Sequence, residues 1–292
     1  MSTRTILGAK KRLREIYRRL TVVNRSKFDN IYHCCTQKTA SQWFKSVFSD
    51  PIFYKYTGLG VCTHPEWREK LIGSCFDNSM PLLEVSAELY AGHEVSVPFP
   101  SHTVGASLYI GHKTYEKIPK PEKSRGFFIL RDPRDIVVSW YFSTKYSHAL
   151  SDSISKFRGD LNKLNLKEGM IYSIDRINEF GLFTGQRSWM AVSEKNHNVK
   201  VFRYRDFALN NKKFLKDLFD YLDIVMPQKR FDELFNRHKF QVYSKGREHG
   251  TVDHNSHYRK GQPGDWIEYF DKTIISHFTN VTGDLLEVLG YQ

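Results

Sequence analysis

The sequence predicts an α/β fold with a parallel sheet covered by helices on both faces, on three observations. Short apolar runs rich in β-formers alternate with segments of helical periodicity along the chain. The runs are continuous in apolar character, as in strands buried on both faces, and do not alternate residue by residue. At Phe127-Phe128-Ile129-Leu130-Arg131-Asp132-Pro133 one such run stops at an arginine, turns and becomes a helix. Asp132 can cap that helix and Pro133 suits its first turn. A strand-turn-helix junction of this kind aims backbone N–H groups and a helix dipole at an anion. Arg131 adds a cationic fork there and Ser139 a hydroxyl.

The elements follow in order. Asn30-Ile31-Tyr32-His33-Cys34-Cys35 reads as the first core strand, residues 36–39 as a polar turn, and 40–48 as a helix with Trp43, Phe44 and Val47 on one side. Residues 50–80 are aromatic and punctuated by Gly58, Gly60 and Pro65, which predicts an irregular region. A short strand at 108–112 leads to a helix ending near Pro119, and 126–146 is the junction described above. Residues 150–170 read as polar and mobile, and 171–192 contain a helix that buries Trp189 and Met190. A strand at 199–204, helices at 212–222 and 231–240, a glycine-rich basic loop at 246–264 and a last helix at 272–289 complete the chain. Leu13, Ile16, Tyr17 and Leu20 recur at helical spacing among basic residues. The expectation is one domain, 1–292, with a basic amphipathic helix in 1–27 and the core in 28–292. No repeat or linker divides it.

The net charge of +12 and a pI near 9.4 favour acidic ligands: nucleotides, nucleic acid, sulfated or phosphorylated compounds, an acidic partner or a membrane surface. Cys34, Cys35, Cys62 and Cys75 form no CxxC pair and have no zinc-ligand spacing, so no metal site is expected. No run reaches the roughly eighteen apolar residues of a membrane span, and the basic N-terminus lacks a secretory apolar core. A cytoplasmic protein is expected.

Three further segments carry chemistry. Thr36-Gln37-Lys38-Thr39-Ala40-Ser41-Gln42-Trp43 joins the first strand to the first helix with a lysine, hydroxyls and a helix N-terminus, a set suited to a phosphate-like anion. It lacks the GxxxxGK[ST] pattern of ATP and GTP loops. Arg259-Lys260-Gly261-Gln262-Pro263-Gly264-Asp265-Trp266 sets two cations among glycines that admit close backbone approach. Tyr204-Arg205-Asp206 stands at a strand end.

Together these resemble the soluble, cytosolic-type sulfotransferases that use 3′-phosphoadenosine 5′-phosphosulfate (PAPS). Lys38 to Trp43 is similar to the family's KSGTTW loop, Arg131 through Tyr141 to its R-[ND]-P-x-D-x-x-V-S-x-Y motif, Tyr204-Arg205-Asp206 to its Y-E-D strand end, and Arg259 to Trp266 to RKGxxGDW. The motifs stand in family order over residues 31–270. The resemblance implies a three-layer, nucleotide-kinase-like (P-loop-like) sandwich with a central parallel sheet of about five strands. It implies that Lys38 contacts the bridging oxygen and sulfuryl group, while Thr39, Ala40, Ser41 and Gln42 cradle the 5′-phosphate. Arg131, Ser139, Arg259, Lys260 and Gly261 would hold the 3′-phosphate, and Trp43 and Phe240 would sandwich adenine with Tyr204 at its edge. Ala40 stands where the family has glycine, which is tolerable if its φ is negative.

The implied reaction is in-line sulfuryl transfer to a hydroxyl or amine, in which positioning, charge stabilisation and a base do the work. The family's K-T-H-L-P histidine maps to His112, seven residues before Pro119, with Ile110 in place of the family lysine. His112 is the expected base, His102 the alternative, and His148 a candidate for the acceptor pocket. The acceptor is read as a small alcohol, phenol or amine, with a glycan or carrier-tethered group also open. A nucleotide-dependent kinase and a non-catalytic polyanion or nucleic-acid binder are the competing classes. The missing ATP loop speaks against the first and the absence of a recognised nucleic-acid module against the second.

Overall fold

In the computed structural model, which describes residues 21–77, 79–192, 196–248, 250–256 and 258–292, all five strands run parallel. They are β1 (Asn30–Cys35), β2 (Gly60–Thr63), β3 (Thr103–Tyr109), β4 (Ser124–Leu130) and β5 (Val199–Arg203), in the order β2-β3-β1-β4-β5. The basic helix expected at 8–20 lies outside the described residues. Between β1 and β3 come α1 (Ser41–Ser49), α2 (Pro51–Thr57), α3 (His64–Leu71) and α4 (Leu82–Ala91). Next are α5 (His112–Lys117), α6 (Pro133–Phe142), a π-helical turn (Ser143–Ser147), α7 (Asp152–Asn162), α8 (Leu166–Glu179) and α9 (Leu182–Trp189). After β5 come α10 (Tyr204–Leu209), α11 (Asn211–Tyr221), α12 (Gln228–Arg237), α13 (Phe240–Tyr243), α14 (Lys272–Thr282) and α15 (Leu285–Val288).

Strand periodicity makes the three layers. Successive side chains of β4 point to opposite faces. Phe127 and Ile129 join Ile31, Val104 and Phe202 under α1, α2, α11 and α12. Phe128 and Leu130 join Tyr32 and Cys34 under α4, α5, α6, α8 and α9. Trp189 is fully buried, with its ring stacked 4.7 Å from that of Phe128. Each such side chain contributes about 1.5–3 kcal/mol of hydrophobic stabilisation.

One irregularity matters for the site. Tyr32 pairs with Gly105 but Cys34 with Leu108, so β3 carries one extra residue, and Ser107 there holds φ 60°. The bulge reverses the pleat: Val104 and Ala106 face the α1 side, while Leu108 faces the other. Tyr109 is thereby turned toward α1, where its hydroxyl donates to Ser41 Oγ at 3.0 Å. His33 braces the bulge by accepting the Ser107 N–H at 3.2 Å, and burial holds its pKa down to about 3, so the ring stays neutral.

Four stretches depart from the sequence expectation. The strand expected at 108–112 is β3, which runs earlier, over Thr103–Tyr109, and His112 opens α5 instead. Residues 50–80 contain α2, capped by Asp50 on the Ile52 N–H, the edge strand β2, and α3 with a Thr63–Glu66 capping box. Residues 150–170 hold α7, capped by Ser151, and the start of α8, capped by an Asn165–Glu168 box. The last helix breaks at Gly283 into α14 and α15. No helix among the described residues is long and apolar enough to cross a membrane.

Candidate active site

All five strands send their carboxyl ends toward one cavity of about 450 Å³, the usual ligand position in an open parallel sheet. The β1–α1 turn forms its floor. Lys38 and Ala40 hold positive φ, 66° and 60°, on either side of Thr39. Such alternation curls backbone N–H groups into an anion nest ahead of the free first turn of α1. The condition set for Ala40, a negative φ, is therefore not met. Its methyl group sits in the left-handed region at a cost of about 1 kcal/mol. Ala40→Gly is expected to raise unfolding stability by roughly 0.5–1 kcal/mol, net of the extra freedom glycine gives the unfolded chain. Urea denaturation measures it, and a destabilised variant would show that the turn carries no strain.

Lys38, Ala40, Ser41, Gln42 and Trp43 line the cavity. Thr39 does not: its hydroxyl donates to Thr36 O at 2.7 Å and stabilises the turn from within. Lys38 Nζ donates to Ser143 Oγ at 2.5 Å. Burial, and then the charge of Arg131, push its pKa down to about 7.

Arg131 leaves the end of β4 and spans the site. Its Nη1 donates to Lys38 O at 2.6 Å, and its guanidinium lies 4.3 Å from the Tyr204 ring centroid. Gln186 donates to its carbonyl at 2.6 Å. Arg134 is drawn off instead: it pairs with Asp132 and stacks on Trp266 at 3.7 Å. The 259–266 loop is tied to α6 by Asp135, which accepts the N–H groups of Gly264 (2.8 Å) and Trp266 (3.1 Å). This brings Arg259, Lys260 and Gly261 to the cavity beside Arg131 and Ser139. Buried Asp265 pairs with both Arg259 and Lys260. Arg131 Nε and Arg259 Nη1 are buried donors with no partner among the described residues, so this wall has unused capacity for an anion.

An aromatic end adjoins these cations. Trp43, Tyr204, Phe207, Phe240 and Tyr258 line it. Trp43 is fixed by donating Nε1–H to His238 O at 2.6 Å, and His238 is itself held by Asp50 at 3.0 Å. Trp140, Ile154, Phe157 and Phe180 also line the cavity, their three aromatic rings 5.8–6.5 Å apart, as do Thr144, His148, Tyr109 and Arg68. Sequence reasoning assigned no role to Phe207, Tyr258, Tyr109 or Arg68, although Tyr109 stands at a strand's carboxyl end, a signal that could have flagged it.

Neither histidine expected as base is brought to the cavity lining. A Cβ on Gly111 would lie 2.1 Å from Tyr90 O, so the chain hugs α4 at that point. The His112 ring then packs on Trp189 at 5.2 Å, with Glu116 3.7 Å from its Nδ1. His102 precedes β3, at the amino end of the sheet, and is exposed 3.8 Å from Asp29. The histidine that does line the cavity is His148, at the end of the π-helical turn. Its Nδ1 lies 3.1 Å from Ala149 O, which requires the proton on Nδ1 and leaves the neutral ring's lone pair on Nε2. Burial foremost lowers its pKa; the Ala149 contact opposes this, and the charges of Lys38 and Arg158 add to it.

Comparison with known proteins bears on the family and the fold. The sulfotransferase domain model matches residues 36–290. Sulfotransferase 2A6 of Mus musculus is 24% identical over 172 residues, covering 56% of each chain, so this chain spans about half the length of that relative. Mouse sulfotransferase SULT7A1, solved in complex with PAP, superposes with a TM-score of 0.51 at 15% identity over 90% of this chain and 86% of that one. Retinol dehydratase, solved with androsterone and the inactive cofactor PAP, gives 0.51 at 15% over 89% and 81%. At these identities the two structures speak for a shared fold. The match over 36–290 does more: this chain belongs to the sulfotransferase domain family.

Proposed function

We propose that the protein transfers a sulfuryl group from PAPS to a hydroxyl or amine of a small-molecule acceptor. The observation that carries this reading is the pair of cationic sites in one cavity: the Lys38–Ala40 nest, and the Arg131–Arg259–Lys260 wall with its two unpaired buried donors. The donor presents two anionic groups joined through an adenosine, and the aromatic end beside the wall suits the base. Lys38, Ala40, Ser41 and Gln42 would hold the phosphosulfate. Arg131, Ser139, Arg259, Lys260 and Gly261 would hold the 3′-phosphate, and Trp43, Tyr204 and Phe240 the adenine. When bound, the donor supplies the sulfuryl group, which leaves the 5′-phosphate oxygen as the acceptor atom bonds to sulfur. Lys38 balances charge at the nest, the environment in which a fixed cation acts most strongly. The acceptor's proton goes to His148 Nε2, a role that replaces the one expected of His112.

Two measurements test this. Calorimetric titration should show PAP binding in preference to ATP, and isotopically marked PAPS should transfer its sulfuryl group to simple phenols. His148→Ala is expected to lower kcat by about 10²-fold while leaving PAP affinity within about threefold. If His148→Ala turns over normally and a folded His112→Ala does not, the base assignment returns to His112.

A further inference from the structure

The order of the strands sorts the cavity's charges. Read across the sheet, the residues that β2, β3, β1, β4 and β5 lead to are Arg68, Tyr109, Lys38, Arg131 and Tyr204. Arg131, Arg259 and Lys260 lie on the Tyr204 side of Lys38, where the proposed donor's adenylate would be. Arg68 lies on the other side. Its helix packs against both β2 and β3, so with neighbouring strands about 4.8 Å apart it stands one to two strand spacings, on the order of 5–10 Å, from the strand that leads to Lys38.

Arg68 is half-buried on the cavity wall, and its guanidinium has no ion pair or hydrogen bond among the described residues. The acids of its own helix do not serve it: Glu66 is held by the Thr63 capping box, and Glu69 is exposed. Asp265, the carboxylate on the cavity lining, is held by Arg259 and Lys260. Burial lowers the Arg68 pKa. A partly buried guanidinium without a protein partner is stabilised by an anion in the cavity, and its planar fork matches an oxyanion. The same cavity carries an apolar stretch of lining, Trp140, Ile154, Phe157 and Phe180.

We propose that Arg68 binds an anionic oxygen group carried by the acceptor, so that the preferred acceptor is an apolar hydroxy or amino compound bearing a carboxylate, sulfate or phosphate. This rests on the sulfotransferase reading above. The reacting oxygen meets Lys38 and His148, the apolar body lies along Trp140 and Phe157, and the anion reaches Arg68 on the order of 5–10 Å from the reacting atom.

The test titrates PAP-loaded protein with ω-(4-hydroxyphenyl)alkanoates of increasing length. Their methyl esters, and the sulfate and phosphate monoesters of the matching alcohols, form the other arms, which identify the anion preferred. Wild type should bind an anionic member at least about tenfold more tightly than its neutral counterpart, as hydrogen bonds to charged groups usually give. Arg68→Gln should bring the pair within about threefold, Arg68→Lys should keep part of the preference, and Arg68→Glu should reverse it. PAP affinity should stay within about threefold throughout. Equal binding of acid and ester by wild type, or an acid preference that survives in Arg68→Gln, overturns the inference while the sulfotransferase reading stands. A large loss of PAP affinity in Arg68→Gln also overturns it, by moving Arg68 to the donor. Failure of wild type to bind PAP removes the sulfotransferase reading and this inference with it.

Discussion

Arg131→Ala is expected to lower kcat/KM by about 10³-fold or more, with most of the loss appearing as weakened PAP binding. Two effects add. The guanidinium is a buried donor aimed into the cavity, and hydrogen bonds to charged groups are worth about 1.5–3 kcal/mol each. It also pins the β1–α1 turn through Lys38 O and rests on Tyr204, so its loss loosens the nest that holds the other anion. Arg131→Lys should rescue little, because an ammonium cannot bond Lys38 O, lie flat on Tyr204 and still present a second N–H to the ligand. Calorimetry with PAP, backed by a thermal melt to confirm folding, decides the matter. A folded Arg131→Ala protein with wild-type PAP affinity would sink the assignment of this wall to the 3′-phosphate.

What could be read from the chain, and what could not, divides by physical cause. Strands β1, β4 and β5 are continuous apolar runs and were found to within a few residues, because burial on both faces leaves a local imprint. β2 is four residues long, Gly-Val-Cys-Thr, with Gly58 close before it. Its pairing with β3 makes it a strand, and no local pattern reports that. The bulge at Ser107 is likewise a property of two strands, so the turning of Tyr109 toward Ser41 had no signature. The cations at 38, 131, 259 and 260 were readable because each sits beside turn-forming residues at an element boundary. Asp135, which ties the last of these to the rest, stands within the motif at 131–141, but no local pattern shows that it reaches the 259–266 loop. His112, the expected base, is not among the residues that line the cavity, for a similar reason. Spacing from a strand put His112 near the site, but the close packing of Gly111 on Tyr90 decides which way the chain turns next.

Lys38→Met is the second large effect, and it has a readout that loss of turnover alone does not supply. It is expected to reduce kcat by about 10³-fold through loss of a fixed charge at the reacting centre. In the wild-type protein without ligand, burial and the neighbouring Arg131 hold the Lys38 pKa near 7, so above that pH the amine is increasingly neutral. An anion in the nest favours the ammonium and raises its pKa. Binding between the two pKa values therefore takes up protons, approaching one per site near pH 8. PAP affinity should level off about one pH unit below 7 and should weaken as pH rises through and above it, by up to about tenfold per unit. Calorimetry at pH 8 in buffers of different ionisation enthalpy counts the protons directly. Lys38→Met should abolish both the uptake and the slope. In Arg131→Ala, removing the neighbouring charge should move the onset of any remaining slope to higher pH. Proton uptake that survives unchanged in Lys38→Met would assign the titration to another group and leave Lys38 charged throughout. The pH dependence of donor binding thus reports on the buried Lys38 amine and, through its charge, on Arg131, whose separate bond to Lys38 O holds the turn in place.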